Sequence, residues 1–466
     1  MMSNKQNTSS PGILEKLFKL KQNHTDVKTE IAAGVTTFMT MAYILAVNPN
    51  ILSSAGMNGT AVLIATCLAS FIGTMLMGLL ANLPFALSAG MGLNAYLAYT
   101  VCEGMGYSWQ IALLAVFVEG IIFIILSLTN VREAIFNAIP APLKKAVSVG
   151  IGLFIAFIGL QKSGLVQDNE STLVSITHFT ENFNTVGIGA ILAFAGTIFT
   201  FVLHARGLRG AVLLGILATW IAGIVCQLTG IYIPDPAAGF NSLIPEFTMT
   251  DFSTFGLTFG QCFNVDFAAV DLINFIVIIF SFLFVDLFDT LGTLIGVSAR
   301  ANMLDKDGKL PAIRPALLSD AIATTVGAVF GTSTTTTFVE SSAGVGVGGR
   351  TGLTAVTTAV LFLLSVFLAP VFTAIPSFAT APALIVVGFL MFSSVTDLKF
   401  DSENLTDAIP AYICIIAMPL FYSISEGISL GIISYTVINL CTGKAKKIPV
   451  LIYVLSVLFI LKYVFL

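Results

Sequence analysis

Along this chain polar and charged residues fall in short clusters, and the stretches between them are uniformly apolar. The apolar runs lie near residues 31–48, 61–83, 88–102, 111–129, 146–161, 186–204, 210–229, 272–299, 316–330, 338–348, 352–372, 380–395, 408–424, 427–441 and 449–466. Most approach the roughly 20 apolar residues with which a helix crosses the hydrocarbon of a bilayer. Only helices and closed barrels satisfy their backbone there, and these runs are too long and too uniform for barrel strands. The pattern predicts an all-α polytopic membrane protein. The first fourteen segments bring both flanks of the bundle to one side. The last run, PVLIYVLSVLFILKYVFL, is a fifteenth crossing or an interfacial helix.

The pattern also repeats. IPAPLKKAVSVGIGLFIAFIGL from Ile139 parallels IPSFATAPALIVVGFLMFSS from Ile375, and SAGMGLNAYLAYT sits where STTTTFVESSAGVGVGG sits in the second half. Each half counts seven elements, so the second is expected to be inverted in the membrane. Short, Gly-interrupted segments at matching places in inverted halves point to a transporter site. The two are 88–102 and 338–348. In GTSTTTTFVESSAGVGVGGR the β-branched run Thr334–Thr337 with Phe338 favours a strand, followed by a half-helix. Irregular backbone at that depth belongs where it is buried or lines a cavity. Gly90, Gly92, Gly344 and Gly346 are read chiefly as sites of close helix packing.

Composition agrees with the pattern: 56% of the 466 residues are hydrophobic and 10% charged, against about 25% charged in soluble domains. Loop charge orients the chain. With the N-terminus cytoplasmic, Arg132, Lys144, Lys145, Arg206, Arg209, Arg300, Lys306, Lys309, Arg314, Arg350, Lys444, Lys446 and Lys447 all fall inside, whereas the long 230–271 loop carries Asp235, Glu246 and Asp251 and no basic residue. The polar start, to about Lys28, precedes a retained transmembrane segment rather than a signal peptide. No basic tract suits nucleic acid. The six cysteines form no CxxC pair, and five lie in or beside apolar runs, as small hydrophobes do. No cofactor or metal is expected. His24, His178 and His204 lie in or beside loops, so no nucleophile–base set is buried as an intramembrane enzyme would need.

What the apolar pattern cannot absorb is its acids. A carboxylate at mid-membrane costs about 2.5–3.5 kcal/mol even on forgiving scales, yet VDLFDT places Asp286 and Asp289 within the 272–299 run, three apart on one helix face beside Thr290 and Thr293. Glu340 sits at the strand-to-helix junction of the tenth segment, and Asn94 in the matching place in the third. These groups either hold helices together or serve a solute. Glu30 reads as a helix-terminus or interface charge, and Glu119 as a bundle-facing hydrogen bonder or protomer contact.

EIAAGVTTFMTMAYILAVNP, AGMGLNAY, FVDLFDTLGTLIGVS, TSTTTTFVESSAGV and GGRTGLTAV together resemble the AzgA-like purine permeases of the nucleobase–cation symporter-2 (nucleobase–ascorbate transporter) group, from about Glu30 to the end. The resemblance implies a uracil permease-like fold: fourteen segments in two inverted seven-segment repeats, with short strands before half-helices 3 and 10. It implies a cytoplasmic tail (1–27), a core domain (28–130 and 272–372), a gate domain (131–229 and 373–441), an external loop (230–271) and a basic loop with an apolar end (442–466). Substrate is expected between the third, tenth and eighth segments, with Asn94, Asp286, Asp289, Glu340, Val339 and Phe338 as binding residues and Asp286, Asp289 or Glu340 as proton carrier. The implied activity is import of a purine nucleobase, guanine or hypoxanthine rather than adenine, by proton symport across the cell membrane. An adenine-preferring or sodium-coupled nucleobase permease is the alternative, and an anion transporter or channel on the same fold the more distant one; three acids disfavour an anion. The bilayer is the other partner, and homodimerisation is left open.

Overall fold

The structure, a computed structural model, describes residues 12–129, 139–235, 240–245, 248–266, 270–306, 310–401 and 403–465. Arg132, Glu246 and Lys309 lie outside the described residues. After a short helix at Ile13–Phe18, the chain forms α1 (Val27–Met41), α2 (Ile44–Ser54) and α3 (Gly59–Leu76), then β1 (Leu87–Ala89) and α4 (Met91–Ala95), which continues as a π-helical stretch to Gly104. Next come α5 (Trp109–Ser127), α6 (Ala141–Lys162), a hairpin of β2 (Val166–Asn169) and β3 (Leu173–Ile176), α7 (Ile188–Ala205) and α8 (Ala211–Leu228). The second half holds α9 (Leu272–Arg300), α10 (Ile313–Phe330), β4 (Thr335–Thr337), α11 (Ser341–Val347), α12 (Gly352–Ser365), α13 (Ala369–Thr373), α14 (Ser377–Phe392), α15 (Leu405–Leu420), α16 (Ile424–Cys441) and α17 (Val450–Phe465).

Helix starts follow local chemistry. Asp26 caps α1 by accepting from Thr29 N at 3.0 Å, and Asn58 caps α3 by accepting from Ala61 N at 3.0 Å. Among the described residues eleven helices are long and apolar enough to cross a membrane, the first being Val27–Ser54. That span is broken at Ala42–Tyr43, which the apolar pattern did not signal. The segments expected near 88–102 and 338–348 fall short of a full crossing helix, as does α15, whose 16 residues include Pro410 and Pro419. Two points differ from an all-α reading with strands only at half-helices 3 and 10. The β2–β3 hairpin follows α6, in a polar connection where no strand was expected. The 230–271 connection also holds structure: Gly260 N donates to Val329 O at 2.7 Å and Thr258 Oγ1 to Phe330 O at 3.0 Å, seating it on the end of α10.

The helices pack in two groups. In one, α10 lies against α5 and α3, and α12 against α1 and α3; in the other, α14 lies against α6 and α7, and α15 against α6 and α16. The second group closes through a reciprocal glycine contact. A Cβ on Gly152 of α6 would stand 2.6 Å from Gly388 O of α14, and one on Gly388 would strike Gly152 O. Only a hydrogen at both positions allows the helices this approach. Among the Gly-rich segments, a Cβ at Gly344 would stand 2.7 Å from Ala33 O, whereas Gly346 faces open space, so close packing does not account for it. The terminal helix α17 packs on α16, burying Ile452, Leu455 and Phe459, and Ser456 Oγ lies 2.5 Å from Thr436 Oγ1.

Candidate functional site

At the centre of the first group β1 and β4 run antiparallel, Leu87 opposite Thr337, Ser88 opposite Thr336 and Ala89 opposite Thr335. Phe338 N to Ala86 O and Gly90 N to Thr334 O, both 3.0 Å, extend the ladder at its ends. Each strand feeds a half-helix, β1 into α4 and β4 into α11. Threonine favours this pairing because its branched side chain suits the pleated backbone. All six paired residues are buried, so the small sheet satisfies by pairing what would otherwise be orphaned backbone inside the bundle.

Asn94 is fully buried on α4, and its Oδ1 accepts from Ser333 Oγ, which precedes β4. Its Nδ2 has no protein partner and remains as a donor. Asp289, partly buried on α9, accepts from Thr336 Oγ1 of β4 at 3.1 Å and stands beside Gly90, where a Cβ would come within 3.6 Å of Oδ2. Glu340, also partly buried, leads into α11 and accepts from Tyr43 OH at 2.6 Å. Val339 beside it is 46% exposed, whereas Phe338 is 6% exposed and presents little ring face to a solute. The amides that follow Glu340 turn back on the chain: Ser341 N donates to Phe338 O, Ser342 N to Val339 O and Ala343 N to Glu340 O.

The structure therefore brings Asn94, Asp289, Glu340 and Val339 to the strand pair and sets Asp286 apart. Asp286 is fully buried and its Oδ1 accepts from Thr290 Oγ1 at 2.9 Å, on the side of α9 that faces α10. Three apart on a helix, the two acids diverge enough to meet different neighbours.

Sequence reasoning missed two groups. Tyr43 occupies the break in the first span, and nothing in AYILAVNPN marks it as a partner of Glu340. Asp320 of α10, fully buried, accepts from Thr290 Oγ1 at 3.0 and 3.2 Å; an acid inside an apolar run was the available signal. Glu119 faces the bundle and accepts from Thr334 Oγ1 at 2.8 Å. Glu30 caps the second-half helix α12, accepting from Arg350 N at 2.8 Å, Thr351 N and Thr354 N at 3.2 Å, and Thr354 Oγ1 at 2.6 Å.

A separate cavity of about 600 Å³ opens where α2, α6, α7 and the start of α14 meet, with Asn50, Gln161, Lys162, Tyr232, Asn241 and Phe378 on its walls. None of the acids above lines it. Contacts between the two helix groups include the Tyr99 and Tyr422 rings, 5.8 Å apart, and Lys162 Nζ 5.0 Å from the Tyr99 ring centre. Ser281 Oγ of α9 lies 2.7 Å from Ser425 Oγ of α16, and Thr100 Oγ1 donates to Tyr422 O at 3.2 Å.

Two helix groups, with paired half-crossings and carboxylates meeting within one of them, define a multi-pass helical membrane protein of the transporter class. The chain belongs to the Permease family, whose profile matches residues 28–460. It is 46% identical over 456 residues to a putative permease, MJ0326, of Methanocaldococcus jannaschii (97% of this chain, 98% of that protein). It is 44% identical over 453 residues to the guanine/hypoxanthine permease PbuO of Bacillus subtilis (96% and 99%). Identity to the adenine permease AdeP of Escherichia coli is 40% over 460 residues (98% and 97%). In fold it is similar to the transmembrane domain of a cyanobacterium bicarbonate transporter, BicA, with TM-score 0.63 at 15% identity over 87% of this chain and 97% of that one.

Proposed function

We propose that this protein imports purine nucleobases by proton symport, with guanine and hypoxanthine preferred. The carrying observation is the meeting of Glu340, Asp289 and the spare Asn94 Nδ2 at the β1–β4 pair, in a chain whose relatives include permeases named for guanine/hypoxanthine and for adenine. Hypoxanthine presents N1–H beside O6, and guanine adds a 2-amino group. The Glu340 carboxylate accepts from N1–H and that amino group, held by the Tyr43 hydroxyl. Asp289 accepts from the imidazole N–H, and Asn94 Nδ2 donates to a ring acceptor. Charged partners make such bonds the strong ones.

In this reading α1–α5 with α9–α12 form the core domain, and α6–α8 with α14–α16 form the gate. The halves are inverted seven-segment repeats, and the N-terminus is cytoplasmic. The core moves against the gate, exposing the strand pair to each side in turn. The 600 Å³ cavity between the groups is then the external mouth. A proton taken up outside and released inside drives accumulation.

The test is uptake of labelled hypoxanthine by cells lacking their own purine permeases, with a protonophore, varied sodium, and unlabelled guanine, adenine or uracil as competitors. Uptake abolished by the protonophore, blocked by guanine and lost in Glu340→Gln is expected. Adenine carried in preference would overturn the substrate preference, and dependence on sodium rather than pH would overturn the coupling ion.

A further inference from the structure

The last apolar run either crosses the bilayer or lies flat on it, and the contacts of α17 with α16 separate the two. The turn between these helices carries Lys444, Lys446 and Lys447, and at that end Tyr453 OH donates to Ala445 O at 3.1 Å. Farther along, Ser456 Oγ lies 2.5 Å from Thr436 Oγ1 and 3.3 Å from Ile432 O. At the far end Tyr463 OH donates to a carboxylate oxygen of Glu426, in the first turn of α16. The two helices are therefore antiparallel neighbours from one end of α16 to the other.

The faces of α17 agree with a crossing. Ile452, Leu455, Ser456 and Phe459 are buried and share one helix face. The opposite face shows Val450, Val454, Val457, Leu461 and Val464. A helix lying in the interface turns a charged or polar face to water, but here the serine is on the buried side and the outer side is aliphatic, as acyl chains require. The 16 residues of α17 rise about 24 Å. That is somewhat less than the roughly 30 Å hydrocarbon thickness, a mismatch that a bilayer absorbs at modest cost. Tyr453 and Tyr463 stand toward the two ends, where tyrosines gather at membrane–water interfaces.

Phe459 also reaches the other helix group. Its ring centre lies 5.7 Å from that of Phe280 and 6.5 Å from that of Phe284, both on α9. We propose that α17 is a fifteenth membrane crossing, fixed to the gate along α16, and that Phe459 straps it to the core at α9. The strap rests on the core-and-gate reading above. The two sides of α17 are held differently. Hydrogen bonds at both ends tie it to α16, and breaking them orphans polar groups. The ring packing on α9 is non-directional, so Phe459 leaves it without stranding a polar group. Core motion against the gate then carries α9 past α17 and shears this contact. With the basic turn inside, Val464 lies at the external face.

The experiment uses the full-length protein. Val464→Cys and Ala445→Cys are treated in intact cells with a membrane-impermeant maleimide, and the labelled peptide is identified by mass spectrometry, so native cysteines do not interfere. Val464→Cys is expected to label in intact cells and Ala445→Cys only after permeabilisation. The reverse pattern would support the crossing and overturn the cytoplasmic N-terminus; labelling of both from one side would overturn the crossing. For the strap, Phe280→Cys with Phe459→Cys is bridged by a short bis-methanethiosulfonate and compared with the same variant before bridging and with each single variant. Bridging is expected to lower hypoxanthine uptake about tenfold or more, reversibly on reduction, with hypoxanthine binding to the purified protein changed less than about threefold. Should that variant not reach the membrane, Phe284→Cys with Phe459→Cys takes its place. Failure to bridge, or uptake at the unbridged rate once bridged, would overturn the strap. If wild type carries no hypoxanthine, the transport reading falls, whereas labelling and bridging still decide whether α17 crosses and touches α9.

Discussion

Tyr43→Phe isolates one bond of the candidate site. The Tyr43 ring is fully buried, so phenylalanine keeps its packing and removes only the hydroxyl that donates to Glu340 Oε1 at 2.6 Å. A hydrogen bond to a charged group contributes about 1.5–3 kcal/mol, which corresponds to about a 10- to 150-fold change in an equilibrium constant. Glu340 is partly exposed and, without the hydroxyl, samples other rotamers before a base can be bound. The loss should therefore appear as a rise in the KM for hypoxanthine within that range, with maximal rate changed less than about threefold. The assay is initial-rate uptake against substrate concentration, normalised to protein at the membrane. Because the two side chains touch, their effects should not add. In a Glu340→Gln background, where uptake is expected to be lost, hypoxanthine binding to the purified protein replaces uptake as the readout, and there the Tyr43→Phe step should cost less than half of what it costs in the wild-type background. A KM within twofold of wild type would refute the view that Tyr43 holds Glu340 for the substrate.

Further consequences can be measured singly. Glu30→Gln should lower the thermal midpoint of the detergent-solubilised protein, because an uncharged amide at the start of α12 weakens four hydrogen bonds, each worth about 1 kcal/mol or more; an unchanged midpoint would argue against this cap. Gly388→Val should destabilise by at least the roughly 1–3 kcal/mol typical of overpacking, since its Cβ would strike Gly152 O, read as loss of folded protein on fluorescence-detected chromatography. Ser281→Ala with Ser425→Ala removes a bond between the two helix groups and should change maximal uptake rate with little effect on KM; a change confined to KM would place the pair at the substrate instead. Asn94→Ala should weaken hypoxanthine competition about tenfold, as loss of one ligand hydrogen bond does, whereas an unaltered inhibition constant would leave Nδ2 without that role.

The parts of the fold readable in the sequence are those that apolar periodicity and β-branching determine locally. Most crossing helices follow from run length, and β4 follows from Thr335–Thr337. The break at Ala42–Tyr43 was not readable, because the residues around it are as apolar as those of an unbroken helix, and the partner of Tyr43, Glu340, lies far along the chain. The β2–β3 hairpin lies in a polar stretch whose pairing no alternation announced. At the site, Asn94, Glu340 and Asp289 stood out as polar groups where a bilayer penalises them. Their division of labour did not, since helical spacing put Asp286 and Asp289 on one face and only the neighbouring α10 and β4 separate them. Asp320 carried the same signal as the other acids but sat in a run with no Gly-rich interruption to draw attention to it.

The β1–β4 pair also bears on how the protein is made. Leu87 finds its partner at Thr337, some 250 residues later. Until the tenth segment is synthesised, Leu87 has its amide and carbonyl met by Thr74 Oγ1 of α3 at 2.9 and 3.1 Å, whereas Ala86 O and Gly90 N await β4, and an unmet group in hydrocarbon costs several kcal/mol. The central strand pair is completed only when both halves of the chain are present.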